Sequence, residues 1–175
     1  PHSIFLERLE TYGCPRHVIS WLPSYLTDRT QSISTPAGPS PPLPITRSII
    51  QGSGIGPTSF VAYIADLQPL CAINIYSKYA DDLTILNPAS SPVSLSDEFN
   101  HVKHWGDINK LKINITKTKE IVFHRSNARL FVSPVPVDNI QQVDCVKLLG
   151  IFFNDNLSFC PHVNMIILRP SIAIL

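Results

Sequence analysis

The sequence predicts an α+β fold, because helical and strand-like patterns mingle along it without a regular strand–helix–strand rhythm. Residues of the set AVILMFWYC make up 44% of the chain, which is enough to build a hydrophobic core and excludes wholesale disorder. Sixteen prolines argue against long uninterrupted helices, since an interior proline removes a helical hydrogen bond. The length of 175 residues predicts one domain.

Four segments place apolar residues at helical spacing. They are residues 2–12, 16–26, 57–67 and 94–111. Gly13 predicts the end of the first helix, and Pro23 predicts a kink or break in the second. Ser94 opens a capping box at the start of the fourth. Trp21 and Trp105 lie within these patterns and are predicted to be core anchors rather than base-stacking platforms.

Short β-rich runs predict the strands. They cover residues 30–35, 43–50, 73–86, 120–124 and 146–153. The run 73–86 predicts a hairpin around an Ala-Asp-Asp tip. The stretch PAGPSPPLP holds five prolines between Pro36 and Pro44 and predicts an exposed loop, with a proline-rich docking motif as the minor alternative.

The formal net charge of +1 gives no general support for a nucleic-acid partner. Charge is nevertheless uneven, because residues 60–100 carry five acids against one lysine, a net charge of −4. Residues 101–129 carry seven basic residues against two acids, a net charge of +5. An acidic focus beside a basic stretch suits metal ions held next to a polyanion, but taken alone it favours the simpler interpretation of a solvated helix face and loop.

Other sequence signals are negative. The four cysteines form no C-x-x-C pair, so reduced thiols are expected rather than a metal knuckle. The sequence has no secretory signal pattern and no apolar run long enough to span a bilayer. These features predict an intracellular protein, in the cytoplasm or nucleus, with no membrane partner.

Two local patterns carry chemistry. Asp81 and Asp82 lie between apolar strands; alone they favour a solvated turn, but carboxylates raised on a hairpin also suit Mg²⁺ and phosphoryl transfer. The loop from Gln51 to Pro57 is rich in glycine and feeds a predicted helix, so its backbone could approach an anion. A plain turn is the alternative.

Several motifs, taken in order, resemble the reverse transcriptase domain of non-LTR (LINE-type) retrotransposons. They are QGSGIGPTSF, KYADD followed by LTIL, LKINITKTKEIVF and KLLGIFFNDNLSFCPHV, preceded by PHSIFLERLETYG and WLPSYLTDRTQS. The resemblance covers residues 1–163 and leaves 164–175 as an unrecognised apolar tail. It implies the palm subdomain of a right-hand polymerase, with an antiparallel sheet backed by helices and with fingers and thumb largely missing.

The resemblance also implies an activity. In the family reaction a DNA primer 3′-hydroxyl attacks the α-phosphate of a deoxynucleoside triphosphate on an RNA template, assisted by two Mg²⁺ ions or by Mn²⁺. By position, Asp81 and Asp82 would be the metal ligands. Tyr79 would pack beneath the primer end or the incoming nucleotide, and Lys117 would lie near the departing pyrophosphate.

Two further segments receive roles from the resemblance. Gln51, Gly52 and Ser53 would lie along the template and the nucleotide-binding surface. Leu149 and Gly150 would belong to the primer-grip hairpin.

The sequence also departs from the family pattern. The family's other essential aspartate would fall roughly ten residues before Pro1. Ile50, Asn154 and Phe159 replace the proline, aspartate and tryptophan that are usual at their positions. We therefore expect the fragment alone to be inactive, and the alternative is a catalytically dead remnant that acts at most as a nucleic-acid-binding or structural domain.

Overall fold

The computed structural model describes residues 2–45, 53–124 and 131–167, and it has the predicted α+β composition. The chain divides into two compact units, Pro1–Lys112 and Ile113–Leu175. All four cysteines are free, as expected from their spacing. None of the helices within the described ranges combines the length and apolar character needed to cross a membrane.

The described residues of the first unit form four helices and three small antiparallel ladders. The helices are α1 (His2–Thr11), α2 (Arg16–Leu26), α3 (Gly56–Ile64) and α4 (Leu95–Ile108). The strands are β1 (Thr30–Gln31), β2 (Ser34–Thr35), β3 (Gly38–Pro39), β4 (Leu43–Pro44), β5 (Ile75–Tyr79) and β6 (Asp82–Leu86). The ladders pair β1 with β4, β2 with β3, and β5 with β6.

The core of this unit lies where α1 packs against α2 and α3. Phe5, Leu22, Leu26 and Tyr63 are buried there as one cluster. Leu22 and Leu26 are four residues apart, so they lie on one face of α2, as the helical spacing predicts. Burying a side chain of this size stabilises the fold by about 1.5–3 kcal/mol.

A single cation joins three helices of this unit. The Arg8 guanidinium on α1 donates to the Tyr63 carbonyl of α3, and Nη2 lies 2.6 Å both from Asp66 Oδ2 and from Asn109 Oδ1, at the C-cap of α4. The same group lies 4.9 Å from the Tyr63 ring centroid and 5.3 Å from that of Trp105. Arg8 therefore pairs its charge while it covers two aromatic rings.

Two predictions concern α2. The helix continues through Pro23 to Leu26, so of the predicted kink or break the break is absent. Burial of Leu22 and Leu26 on either side of the proline offsets a cost of about 3 kcal/mol. Trp21 is not a core anchor, because 51% of it is exposed. Trp105, on α4, is partly buried.

The proline-rich segment is exposed, as predicted. The hairpin of β2 and β3 turns at Pro36 and Ala37, and the strands on both sides are only two residues long. The predicted strand 30–35 is interrupted, since only Thr30–Gln31 and Ser34–Thr35 are paired. Of the predicted strand 43–50 the structure describes residues 43–45, in which β4 covers Leu43–Pro44. Residues 46–52 lie outside the described residues.

The second unit contains β7 (Lys119–Glu120), β8 (Gln141–Gln142), β9 (Cys145–Leu148), β10 (Ile151–Asn154) and α5 (Cys160–Ile167). Strand β7 pairs in parallel with β8, and β9 pairs antiparallel with β10. The prediction of one strand over 146–153 is wrong, since this run turns back on itself. In the described residues the strands form five two-stranded ladders rather than one antiparallel sheet.

Helix α4 carries a buried acid that supports the β5–β6 hairpin. Ser94 caps the helix by accepting from the Asp97 amide at 3.1 Å, as the capping box predicts. Glu98 is 0% exposed. Its carboxylate accepts from the Leu70 amide (3.0 Å), from Asn74 Nδ2 (2.7 Å) and from the Tyr76 hydroxyl of β5.

These hydrogen bonds set the protonation state of Glu98. Burial opposes ionisation, but the bonds from Tyr76, Asn74 and Leu70 outweigh it, and the pKa of Glu98 is lowered. A lowered folded-state pKa contributes stability above the unfolded value of 4.5, and that stability is lost as the pH falls through the folded-state pKa.

We predict that Glu98→Gln flattens the acid limb of the stability curve. The parent should lose free energy of unfolding as the pH falls below about 4.5, whereas the variant should start less stable at pH 7 by about 1–3 kcal/mol and lose less on acidification. Urea unfolding from pH 7 to pH 3 measures both curves. Glu10→Gln, at an exposed position of α1, is the matched control and should follow the parent. Parallel curves for parent and Glu98→Gln would contradict the assignment.

The β9–β10 hairpin stores backbone strain. Its two turn residues, Leu149 and Gly150, have φ angles of +47° and +88°. Two positive φ values are the signature of a type I′ turn, which favours Asn-Gly and disfavours a leucine at its first position. A non-glycine residue in this region costs about 1–2 kcal/mol, and Leu149 is also 54% exposed.

We therefore predict that Leu149→Asn stabilises the protein by about 1 kcal/mol, because asparagine tolerates the left-handed region better than leucine. Thermal and urea unfolding measure the gain. Leu70→Asn is the matched control, since Leu70 is 51% exposed and is not among the residues with positive φ. A Leu149→Asn variant no more stable than its parent would refute the strain.

Candidate active site

The candidate site is the tip of the β5–β6 hairpin. The strands pair from Ile75 with Leu86 to Tyr79 with Asp82, which leaves Ala80 and Asp81 as the turn. The hairpin predicted over 73–86 is therefore confirmed. Ala80 has a φ of +48°, and a two-residue hairpin turn needs such a positive angle.

The two carboxylates are adjacent and accessible. Asp81 lies in the turn, Asp82 is the first residue of β6, and both are exposed. Tyr79 is 64% exposed and is the cross-strand partner of Asp82, so the two side chains project from the same face of the ladder. The tip thus presents two anionic groups beside one accessible aromatic ring.

The opposite face of the hairpin is anchored to two helices. Tyr76 and Lys78 precede Tyr79 in β5 by three residues and by one residue. Because successive side chains of a strand point to opposite faces, both lie on the face opposite to that of Tyr79. Tyr76 donates to Glu98 of α4. Lys78 Nζ donates to the Ile64 carbonyl at 2.8 Å and to the Leu67 carbonyl, where α3 ends. A cation at a helix C-terminus is favourable because carbonyl groups there lack helical partners.

Burial shifts the titration of both anchors. Burial lowers the pKa of Lys78, and the nearby charge of Asp66 opposes that shift. Burial also raises the pKa of Tyr76 above its usual range, and the hydrogen bond and charge of Glu98 raise it further. Tyr76 therefore remains a protonated donor to Glu98 at neutral pH.

The chemistry of the tip fits a divalent cation in part. Aspartate oxygens are hard ligands, and Mg²⁺ is commonly held by one or two carboxylates together with water and substrate phosphates. Asp81 and Asp82 meet that description. Within the described ranges, no group of three or more His, Cys, Asp or Glu residues is placed to hold a metal.

The glycine-rich loop is described only from Ser53 onward. The Ser53 carbonyl accepts from the Gly56 amide at 3.1 Å, which leads the chain into α3. A Cβ added to Gly54 would meet no heavy atom within 4 Å, so protein packing does not require a glycine there. The predicted site residues Gln51 and Gly52 lie outside the described residues.

The remaining predicted residues belong to the second unit. Lys117 is exposed in a turn, where its amide donates to the Asn114 carbonyl at 3.2 Å. Leu149 and Gly150 form the tip of the β9–β10 hairpin. The structure brings Tyr79, Asp81 and Asp82 together on one hairpin.

Sequence reasoning missed the residues that support this tip. Glu98 follows Leu95 by three positions and precedes Val102 by four, so it falls on the buried stripe of α4. An acid on an apolar stripe signals a buried partner, and that signal was available in the sequence. The partners themselves, Asn74 and Tyr76, could be found only from the structure.

Comparison with known proteins agrees with the family resemblance of the sequence motifs. The sequence profile of the family described as reverse transcriptase (RNA-dependent DNA polymerase) matches residues 1–153. The RNA-directed DNA polymerase from mobile element jockey of Drosophila melanogaster is 24% identical over 154 residues, which are 82% of this chain and 17% of that protein.

The probable RNA-directed DNA polymerase from transposon BS of the same species is 26% identical over 155 residues, which are 81% of this chain and again 17% of the relative. The chain therefore spans about a sixth of the length of these relatives. No solved structure matches. The resemblance to polymerases of non-LTR retrotransposons is thus confirmed, and because the family profile covers most of the sequence, the chain belongs to the reverse transcriptase (RNA-dependent DNA polymerase) family.

Proposed function

We propose that residues 1–163 are part of the palm subdomain of an RNA-directed DNA polymerase, in which Asp81 and Asp82 bind the catalytic metal. The observation that carries this proposal is the hairpin tip itself, with two adjacent exposed carboxylates on a support anchored to two helices. Family membership supplies the reaction class.

The chain's own residues have distinct tasks in this proposal. When bound, two Mg²⁺ ions, or Mn²⁺, would supply Lewis-acid stabilisation of the phosphate oxygens. Asp81 and Asp82 hold the metal at the accessible end of the hairpin. Tyr79, on the face it shares with Asp82, packs beneath the primer end or the incoming nucleotide. Tyr76 and Lys78 keep the tip in position from the opposite face.

The other assignments rest on position within the family pattern. Gln51, Gly52 and Ser53 bind template and nucleotide, and Lys117 offers its positive charge to the pyrophosphate. The exposed, strained Leu149 turn supports a contact role for the β9–β10 hairpin as the primer grip. The substrates are an RNA template, a DNA primer and deoxynucleoside triphosphates.

The palm requires partners in the same polymerase. In the family pattern a further carboxylate comes from another motif, whereas the tip provides two. We therefore expect fingers, thumb and that carboxylate to complete the site in a longer protein, and we expect no primer extension by the 175-residue chain alone with Mg²⁺.

We predict that Asp81→Asn or Asp82→Asn, in a polymerase that contains this segment, lowers primer extension at least about a hundredfold. Loss of metal-assisted charge stabilisation removes several kcal/mol, and each 1.4 kcal/mol is a factor of ten in rate. The measurement is extension of a labelled DNA primer on an RNA template. Asp107→Asn is the matched control, because Asp107 is an exposed aspartate of the same unit.

These experiments distinguish an active polymerase from a catalytically dead remnant. Full extension by Asp81→Asn would remove the metal assignment. A longer parent polymerase that folds but extends no primer would favour the alternative, a catalytically dead remnant. The thermal unfolding midpoint of each variant should stay close to that of the parent, since both aspartates are exposed.

A further inference from the structure

An aromatic ladder lies on the exposed side of α2 and takes no part in the proposed catalysis. Trp21 and Tyr25 are stacked, with ring centroids 4.9 Å apart and an interplanar angle of 22°. The guanidinium carbon of Arg29 lies 5.1 Å from the Tyr25 ring centroid. Trp21 and Tyr25 are four residues apart in α2 and therefore share one side of the helix, whereas Arg29 follows the end of the helix and reaches Tyr25 by its side chain.

Contacts with the core and with the backbone hold the aromatic ladder in place. Tyr25 packs against the core cluster, and Leu22 and Leu26 bury the neighbouring face of α2. Arg29 Nε donates to the Tyr25 carbonyl at 2.8 Å. The ladder is therefore ordered before any ligand arrives, which reduces the entropy lost on binding.

One surface of the ladder remains available. One face of the Trp21 indole lies against Tyr25, yet 51% of the residue is exposed, so the accessible part is the opposite face and the edge. An indole face of this kind accepts a flat ring by stacking. Double-stranded nucleic acid has its base faces covered, whereas a single strand can offer them.

The surrounding charge suits a polyanion. Helix α2 contains no acidic residue, and residues 16–29 carry Arg16 and Arg29 against Asp28. His17, one turn before Trp21, is exposed on the same side. Aromatic rings combined with arginine are the usual means of binding single strands without sequence preference.

We propose that Trp21, Tyr25 and Arg29 form a stacking platform for an unpaired base of single-stranded nucleic acid. The proposal rests on the proposed function, since a templated polymerase handles single-stranded template. It adds a binding surface apart from the hairpin tip. Arg29 contributes a cation near the phosphates, and Trp21 contributes the ring on which the base stacks.

The test is fluorescence anisotropy of labelled twelve-nucleotide oligo(U) and oligo(dT), with a blunt RNA duplex for comparison and the 175-residue chain as titrant. Trp21→Leu should weaken binding of the single strands about 5- to 100-fold, the range for losing one stacked base, and leave duplex binding unchanged. Trp21→Phe should retain most of the affinity. Trp105→Phe is the matched control and should bind like the parent.

Salt dependence separates the two kinds of contact. Arg29→Gln should reduce the slope of log affinity against log salt by about one, because one phosphate contact is lost. Trp21→Leu should leave that slope unchanged. In the Trp105→Phe background, Trp21 is the sole tryptophan, and its emission should be quenched as the single strand binds.

Several results would overturn the platform. They are unchanged single-strand affinity in Trp21→Leu, an equal loss for duplex, or Trp21 emission that does not respond. Circular dichroism checks that the variants fold, and a Trp21→Phe variant as weak as Trp21→Leu would also count against stacking. A Trp21 surface that binds only protein partners in the longer polymerase would show no oligonucleotide response.

Failure of the platform and failure of the proposed function can be told apart. In a longer polymerase that contains this segment, Asp81→Asn should bind oligo(U) like the parent while it lowers primer extension at least about a hundredfold. Primer extension that depends on Asp81, together with unchanged binding by Trp21→Leu, would reject the platform alone. Binding through Trp21 in a longer polymerase without activity would reject the proposed catalysis alone.

Discussion

The first unit depends on the contacts that the Arg8 guanidinium makes with two other helices. This group is attached to α1, donates to the last turn of α3 and contacts the C-cap of α4. A cation that is largely removed from water is costly unless it is paired, and the Arg8 side chain is only 12% exposed. Asp66 is partly exposed and supplies less than a buried partner would. The two amide-type oxygens, from Tyr63 and Asn109, therefore complete the site.

The position of the candidate active site depends on these contacts of Arg8. Arg8 binds the end of α3, where the Ile64 carbonyl accepts a hydrogen bond from Lys78 of β5. Arg8 also binds the end of α4, and Glu98 of that helix accepts a hydrogen bond from Tyr76 of the same strand. An isolated two-stranded hairpin is marginally stable at best in water. The two helices therefore support the hairpin through Tyr76 and Lys78, and the adjacent aspartates lie at its exposed end.

Local sequence signals predicted the local structure well. The capping box at Ser94, the stop at Gly13 and the hairpin around Ala80 each depend on backbone chemistry within a few residues, and each is confirmed. Predictions failed where packing outweighed local preference. Pro23 stays in α2 because its neighbours Leu22 and Leu26 are buried. The run 146–153 reverses for a local reason instead, because Gly150 permits a type I′ turn. Trp21 is exposed because Leu22 and Leu26 take the core-facing side.

The sequence by itself determined the fold class, the family and the pair of aspartates at a hairpin tip. Motif order and residue chemistry are properties of the chain and need no tertiary contact to be recognised. Only the tertiary structure decided how that tip is supported, through Glu98, Lys78 and Arg8, and that α2 displays an aromatic ladder. Such features depend on which distant groups meet, since a buried charge or an exposed ring is defined by its surroundings and not by its neighbours in sequence.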